Sequence, residues 1–175
     1  MSLSLYDAVV RTFLQILPGV DQCLDKGRAY CASIERDPNE LVACRVFPDM
    51  LPLHFQIVTL VHMSAGAITA AREGTFGAPD LTLAFDYDGL QGHVREAWNE
   101  IRGLDADEVN GLAGGRVTFR AGDVTLPFGT EDFFLSFAVP HFYFHTTTAY
   151  DVLRMQGVPL GKADYLGQAR TLPEN

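Results

Sequence analysis

The sequence contains four long stretches in which apolar residues recur at steps of three and four. In the first stretch, residues 4–34, this stripe is formed by Leu5, Val9, Phe13, Ile16, Val20 and Leu24. Such spacing is typical of an amphipathic helix, which must bury its apolar face against other elements. The remaining stretches are residues 48–74, with Asp49 as the expected N-cap, 87–104 and 130–157. Together the four stretches predict an all-α protein folded as a four-helix bundle.

A different pattern separates the third stretch from the fourth. In GRVTFRAGDVTLPFG, residues 115–129, apolar and polar residues alternate on both sides of Ala-Gly-Asp. This alternation predicts a small β-hairpin between the third and fourth long helices. Residues 75–85 are predicted to be a loop, and the tail from about 158 to 175 is predicted to be irregular. The whole chain, residues 1–175, is predicted to be a single helical domain.

Charge and cysteine content indicate the protein's surroundings. The formal net charge is −9, which opposes binding to nucleic acid or to an anionic membrane surface. No window reaches the roughly 18 uninterrupted apolar residues that a membrane span needs. The cysteines number three and lack metal-ligand spacing, which favours reduced thiols in a cytoplasmic protein. The N-terminus also lacks the features of a signal peptide.

The histidines are the strongest functional signal. His141 and His145 lie four residues apart in VPHFYFHTTTAY, and on a helix this spacing places two side chains on one face, about 6 Å apart. Two such imidazoles suit zinc, nickel, copper or iron. His62 lies in the middle of the second stretch among apolar residues, so it is expected near the bundle interior, where ligands from facing helices converge. A purely structural role for these histidines remains the alternative.

Two other observations narrow the chemistry of this site and the number of histidines that belong to it. The residue after His141 is Phe142, so the glutamate that acts as general base in HExxH zinc proteases is absent. His93, between Gln91 and Arg95, is expected on the solvated helix surface, and His54 either supports the site or lies near the surface. The sequence identifies no general base.

Several motifs resemble a known group of proteins. They are SLYDAVV near the start, PDMLPLHFQ and VHMSAG in the second stretch, and TLPFGTEDFFLSFAVPHFYFHTTTAYDVLRMQGVPLGKADYLG towards the end. Over nearly its whole length the chain resembles the DinB/YfiT-like superfamily, and within it a bacterial family with a domain of unknown function. The resemblance implies an up-down-down-up arrangement of the four helices and a homodimer. It also implies a divalent metal bound by His62, His141 and His145.

Two functions therefore stand side by side as expectations. The first is a metal-dependent hydrolase or a thiol-dependent transferase that acts on a small-molecule substrate at a three-histidine zinc, nickel or iron site. The second is a non-enzymatic helical module that dimerises or binds a small ligand, in which the histidines are structural. Neither function involves nucleic acid or a membrane.

Overall fold

The first apolar stripe forms a long helical segment at the start of the chain. It opens with a π-helical turn, Tyr6–Val10, and continues as α1, Arg11–Ser33. The computed structural model describes residues 3–172, so residues 1, 2 and 173–175 of the predicted domain and tail lie outside the described residues. A short helix, α2, follows at Asn39–Val42.

The second stretch forms one continuous helical segment with a widened turn in its middle. Its parts are α3, Leu53–Val61, a π-helical turn, His62–Gly66, and α4, Ala67–Glu73. The segment ends as predicted at Gly74, which adopts the left-handed conformation with φ of 75°. Glycine has no Cβ, so it takes this conformation without steric penalty.

The start of this segment differs from the prediction. Asp49 does not cap it, since the helix begins at Leu53 and its N-cap is Pro52. The physical reason is that a proline disfavours helical backbone in the residue before it. Leu51 stands before Pro52 and so cannot continue a helix begun near Asp49.

The same segment is long and apolar enough to cross a membrane on composition alone. Of the apolar window within Leu53–Glu73, 72% is buried inside the fold. A buried helix of this kind is what a bundle core contains, because a core helix is apolar on most of its faces.

The third stretch forms α5, Tyr87–Arg102, followed by a short helix α6, Ala106–Asn110. Asp86 caps α5, as its side chain accepts a hydrogen bond of 2.8 Å from the backbone N–H of Gly89. This bond satisfies one of the free N–H groups at the helix start.

The predicted β-hairpin is confirmed. Its strands are β2, Arg116–Ala121, and β3, Val124–Gly129, which pair antiparallel. A third strand, numbered β1 for its place in the chain, comes from residues that were predicted to be a loop. This strand, Thr75–Gly77, pairs parallel with β2. Three residues are too few to show a period, and their partner lies far away in the chain.

The fourth stretch is again a helical segment interrupted by a π-helical turn. It comprises α7, Thr130–Asp132, the π-helical turn Phe133–Ala138, and α8, Val139–Met155. In the described part of the tail, which was predicted to be irregular, Lys162–Leu166 form a short helix, α9. The protein is thus mostly helical, with a small three-stranded sheet.

An aromatic cluster joins the sheet to the helices. Phe133 lies at its centre and is fully buried, with ring centroids 5.2 Å from Phe76 of β1 and 6.1 Å from Phe128 of β3. Phe137 and Phe119 complete this cluster, 5.0 Å from each other. The cluster holds the sheet against the fourth helical segment. Phe76 also stacks on His62 of the second segment, so β1 shapes the surroundings of His62.

Candidate functional site

His141 lies in the first turn of α8, and one of its ring nitrogens is engaged by the backbone. Its Nδ1 is 2.7 Å from the carbonyl oxygen of Phe137. A carbonyl oxygen can only accept, so Nδ1 carries the proton and the lone pair lies on Nε2. The imidazole also packs on the Phe137 ring at 4.4 Å between centroids.

His145 is buried one turn further along α8 and is held by a side chain of α3. Its Nδ1 is 2.7 Å from Oε1 of Gln56, whose Nε2 donates a hydrogen bond of 2.8 Å to the carbonyl oxygen of Leu51. The Leu51 bond sets the orientation of the amide, so Gln56 must accept from His145. His145 therefore also presents its lone pair on Nε2. Burial, aided by nearby His141, lowers the pKa of His145 to about 4, so the ring is neutral at pH 7.

His62 has a different arrangement, at the first position of the π-helical turn in the second segment. Its Nε2 is 2.9 Å from the carbonyl oxygen of Gly77 and therefore donates, which leaves the lone pair on Nδ1. The ring stacks on Phe76 with centroids 4.3 Å apart. Burial lowers the pKa of His62, against a smaller opposing effect of the Gly77 bond.

The structure brings His141 and His145 together on one helix face but does not group His62 with them. Across residues 3–172, no three His, Cys, Asp or Glu side chains stand close enough to hold one metal ion. As placed, the residues therefore fit a two-imidazole site better than a three-imidazole one. The three-histidine metal site stays a prediction.

His62 instead lines an open cavity of about 440 Å³ between the second helical segment and α5. The wall also contains His93 and three carboxylates, those of Glu73, Asp80 and Glu100. Other lining residues are apolar or small, and include Val58, Ala65, Gly66, Ala70, Phe76 and Leu83. We call this space the His62 cavity.

Gly66 leaves room for the imidazole at the cavity wall. A Cβ built on Gly66 would lie 3.1 Å from Nδ1 of His62, which is tighter than ordinary contact. The absence of a side chain at this position keeps the lone pair of His62 uncrowded by its own helix.

His93 was expected on the solvated surface, but it is half-buried. Its ring stacks on Phe85 at 5.0 Å, and burial is the main cause of its lowered pKa. His54 also contacts Phe85, just before α5: its Nε2 accepts a hydrogen bond of 3.2 Å from the backbone N–H of Phe85.

The carboxylates of the cavity were not predicted from the sequence, although the spacing of residues on the second helical segment points to one of them. His62, Gly66, Thr69 and Glu73 follow one another at steps of four, three and four and line one cavity wall. That spacing is one face of a helix, and here the face is polar. His93 and Glu100, seven residues apart, form the matching face of α5.

Comparison with known proteins assigns the family. The model of DUF1993, a domain of unknown function, matches residues 5–166. The chain belongs to the DUF1993 family. Among curated proteins, none matches this DUF1993 chain.

The fold of this DUF1993 protein is similar to that of a solved structure. The crystal structure of a DinB family member protein from Shewanella denitrificans superposes with a TM-score of 0.78 at 23% sequence identity. The match covers 97% of this chain and 96% of the other. At this identity the likeness establishes a DinB-like fold, in agreement with the resemblance seen in the sequence.

Proposed function

We propose that this DUF1993 protein binds a small organic cation in the His62 cavity. The observation that carries the proposal is the set of three carboxylates, of Glu73, Asp80 and Glu100, in a cavity whose lining also contains several apolar side chains. Within the described part of the chain, no Lys or Arg side chain lines this cavity. Its volume of about 440 Å³ lies in the usual range for small-molecule sites, about 300–1,000 Å³.

The protonation states favour a ligand that donates hydrogen bonds. Burial lowers the pKa of both His62 and His93, so at neutral pH both rings are uncharged and each has one accepting nitrogen. Asp80 accepts hydrogen bonds from the backbone N–H and the hydroxyl of Thr82 at 2.8 and 2.7 Å. These bonds lower its pKa and keep it ionised. An ammonium group on an apolar body would match both the charge and the acceptors.

This function corresponds to the small-ligand-binding module inferred from the sequence. The fold around it is proposed to be the up-down-down-up four-helix bundle. Packing of α1 on α5 and α8, and of α3 on the same two helices, supports that arrangement. The homodimer stays a prediction.

Benzylamine, a small aromatic cation, is a direct probe of the cavity. We expect calorimetric titration to show binding, and the double variant Glu73→Gln/Glu100→Gln to weaken it about tenfold, equivalent to about 1.4 kcal/mol. The loss follows from removing two of the three negative charges. Both residues are exposed, so the variant is expected to fold.

Two controls make the titration decisive. Asp151→Asn removes another exposed negative charge, from α8, and should leave the affinity unchanged. Benzyl alcohol has the same shape as benzylamine without the charge and should bind at least tenfold more weakly. Equal affinities for the two compounds, or for the double variant and the parent protein, would contradict the proposal.

A second candidate function is a divalent metal site at His141 and His145. The observation in its favour is that both rings donate from Nδ1 to an oxygen, so both hold their lone pairs on Nε2. Hydrogen bonds of this kind are the usual support of metal-binding histidines. A zinc, nickel or iron ion held there would supply Lewis-acid chemistry for a hydrolase or a thiol-dependent transferase. His141 and His145 would hold it, and Gln56 would orient His145.

Elemental analysis after zinc loading and gel filtration tests this site. We expect His141→Ala to lower the bound zinc at least tenfold, because the pair loses one of its two ligands. His62→Ala is the informative control: among residues 3–172 His62 does not stand close enough to the pair to share one ion with it, so the zinc content should not change. A loss of zinc in His62→Ala would instead support the three-histidine site, and equal zinc in all three proteins would exclude the pair.

A further inference from the structure

A second open cavity, of about 670 Å³, lies on another side of the molecule. It is bordered by the first turns of α1, by Trp98 of α5, and by residues 168–171, which follow α9. Two arginines, Arg11 and Arg170, line it, and no carboxylate among the described residues does. That composition is unusual in a chain whose formal net charge is −9. We call this space the arginine cavity.

The helix that precedes residues 168–171 is fastened to α1 at both of its ends. Near its start, Asp164 forms an ion pair of 2.7 Å with Lys26 of α1. At its end, the carbonyl oxygen of Leu166 accepts a hydrogen bond of 3.2 Å from Nε2 of Gln15. These two contacts hold α9 against α1, directly before residues 168–171, which line the cavity.

The chain then passes very close to α1 at a glycine. Gly167 has φ of 59°, and a Cβ there would lie 2.7 Å from the carbonyl oxygen of Gln15. Only glycine lets the chain pass this close to α1 in that conformation. The fold therefore places the start of residues 168–171 against α1.

The charges around the arginine cavity leave a surplus of positive charge. Arg11 pairs with Asp7 at 3.0 Å, whereas Arg170 forms no ion pair with a carboxylate of residues 3–172. The pKa of Asp7 is lowered chiefly by its hydrogen bond from Arg11 and least by the charge of Arg170. A third guanidinium, that of Arg102, lies 4.5 Å from the centroid of the Trp98 ring. Negatively charged groups are therefore favoured at this place.

The remaining wall suits the apolar part of a ligand. Leu14, Pro18 and Ala169 contribute aliphatic surface beside the Trp98 ring. The indole N–H of Trp98 is buried and has no acceptor among the described residues. A buried donor without a partner is unfavourable, and a ligand oxygen reaching it would remove that penalty.

We propose that the arginine cavity binds a small organic carboxylate, with its anionic group between Arg11 and Arg170 and its apolar body against Trp98 and Pro18. This inference is independent of the His62 cavity, which carries the opposite charge and is lined by other residues.

The chain contains a single tryptophan, and Trp98 lines this cavity, so its emission responds to a ligand bound there. Titration with sodium benzoate is expected to change the emission in a saturable way. Arg170→Gln should raise the apparent dissociation constant about tenfold, because it removes the guanidinium that has no carboxylate partner within residues 3–172. Arg170 lies after the last helix and is exposed, so far-UV circular dichroism should match that of the parent protein.

Matched controls separate charge recognition from general adsorption. Arg45→Gln removes an exposed guanidinium from the loop after α2 and should leave the benzoate titration unchanged. Benzyl alcohol and benzylamine should produce no saturable change. The proposal is overturned if benzoate gives no saturable change, if benzyl alcohol acts equally well, or if Arg170→Gln and Arg45→Gln behave alike.

Discussion

Replacing Phe133 with alanine is expected to lower the free energy of unfolding by about 3–5 kcal/mol, the usual effect of truncating a fully buried aromatic side chain. Phe133 is completely buried at the centre of the aromatic cluster, and it touches the rings of Phe76, Phe128, Phe134 and Phe137. Its removal would leave a cavity where the sheet meets the helices. Urea unfolding followed by Trp98 emission measures the change.

Phe47 is the matched control for this variant. Its side chain is 62% exposed, so Phe47→Ala should change stability by no more than about 0.5 kcal/mol. A loss below about 1 kcal/mol for Phe133→Ala, within the spread of ordinary substitutions, would show that the aromatic cluster does not hold the sheet against the helices.

Acidification is expected to destabilise the protein through His145. Burial lowers the pKa of His145 to about 4, whereas the unfolded chain has a histidine pKa near 6.5. Between these values the unfolded state binds the proton and the folded state does not, so stability falls as the pH falls from about 6.5 to about 4. Over this whole pH range His145 is expected to lower the free energy of unfolding by about 3 kcal/mol.

The measurement is urea unfolding between pH 7 and pH 4 in the presence of a chelator, so that no metal occupies the imidazole. His145→Gln keeps a hydrogen-bonding partner for Gln56 but does not titrate, so its stability should depend less steeply on pH. His54, His62 and His93 have pKa values lowered in the same direction, so part of the dependence should remain. Parallel pH profiles for the two proteins would contradict this assignment to His145.

The helical segments and the hairpin could be predicted because their signals are local. The stripe from Leu5 to Leu24 and the alternation around Ala121 and Gly122 each lie within one short, continuous stretch of chain. The strand Thr75–Gly77 could not be predicted in the same way, since it exists only through parallel pairing with β2. The start of α3 could have been placed better, because Pro52 already argues against a helix at Leu51.

The candidate site was predicted less well than the fold, for a physical reason. The adjacency of His141 and His145 follows from helix geometry alone. The position of His62 depends instead on Gly77 and Phe76, which β1 brings to it. When the residues of a site come from several helices and strands, their positions depend on tertiary contacts. No short pattern in a single sequence reveals those contacts.

The widened helical turn at Phe133–Ala138 lets the fourth helical segment hold one more residue without changing the orientation of the histidines that follow. A π-helical turn accommodates one residue more than an α-helical turn. Deleting a residue there would restore regular α-helical geometry and leave His145 facing Gln56. Deleting a residue from the regular start of α8 would instead rotate everything after it by about 100° and swing His145 away from Gln56, so a shorter chain should be tolerated in the widened turn but not in α8.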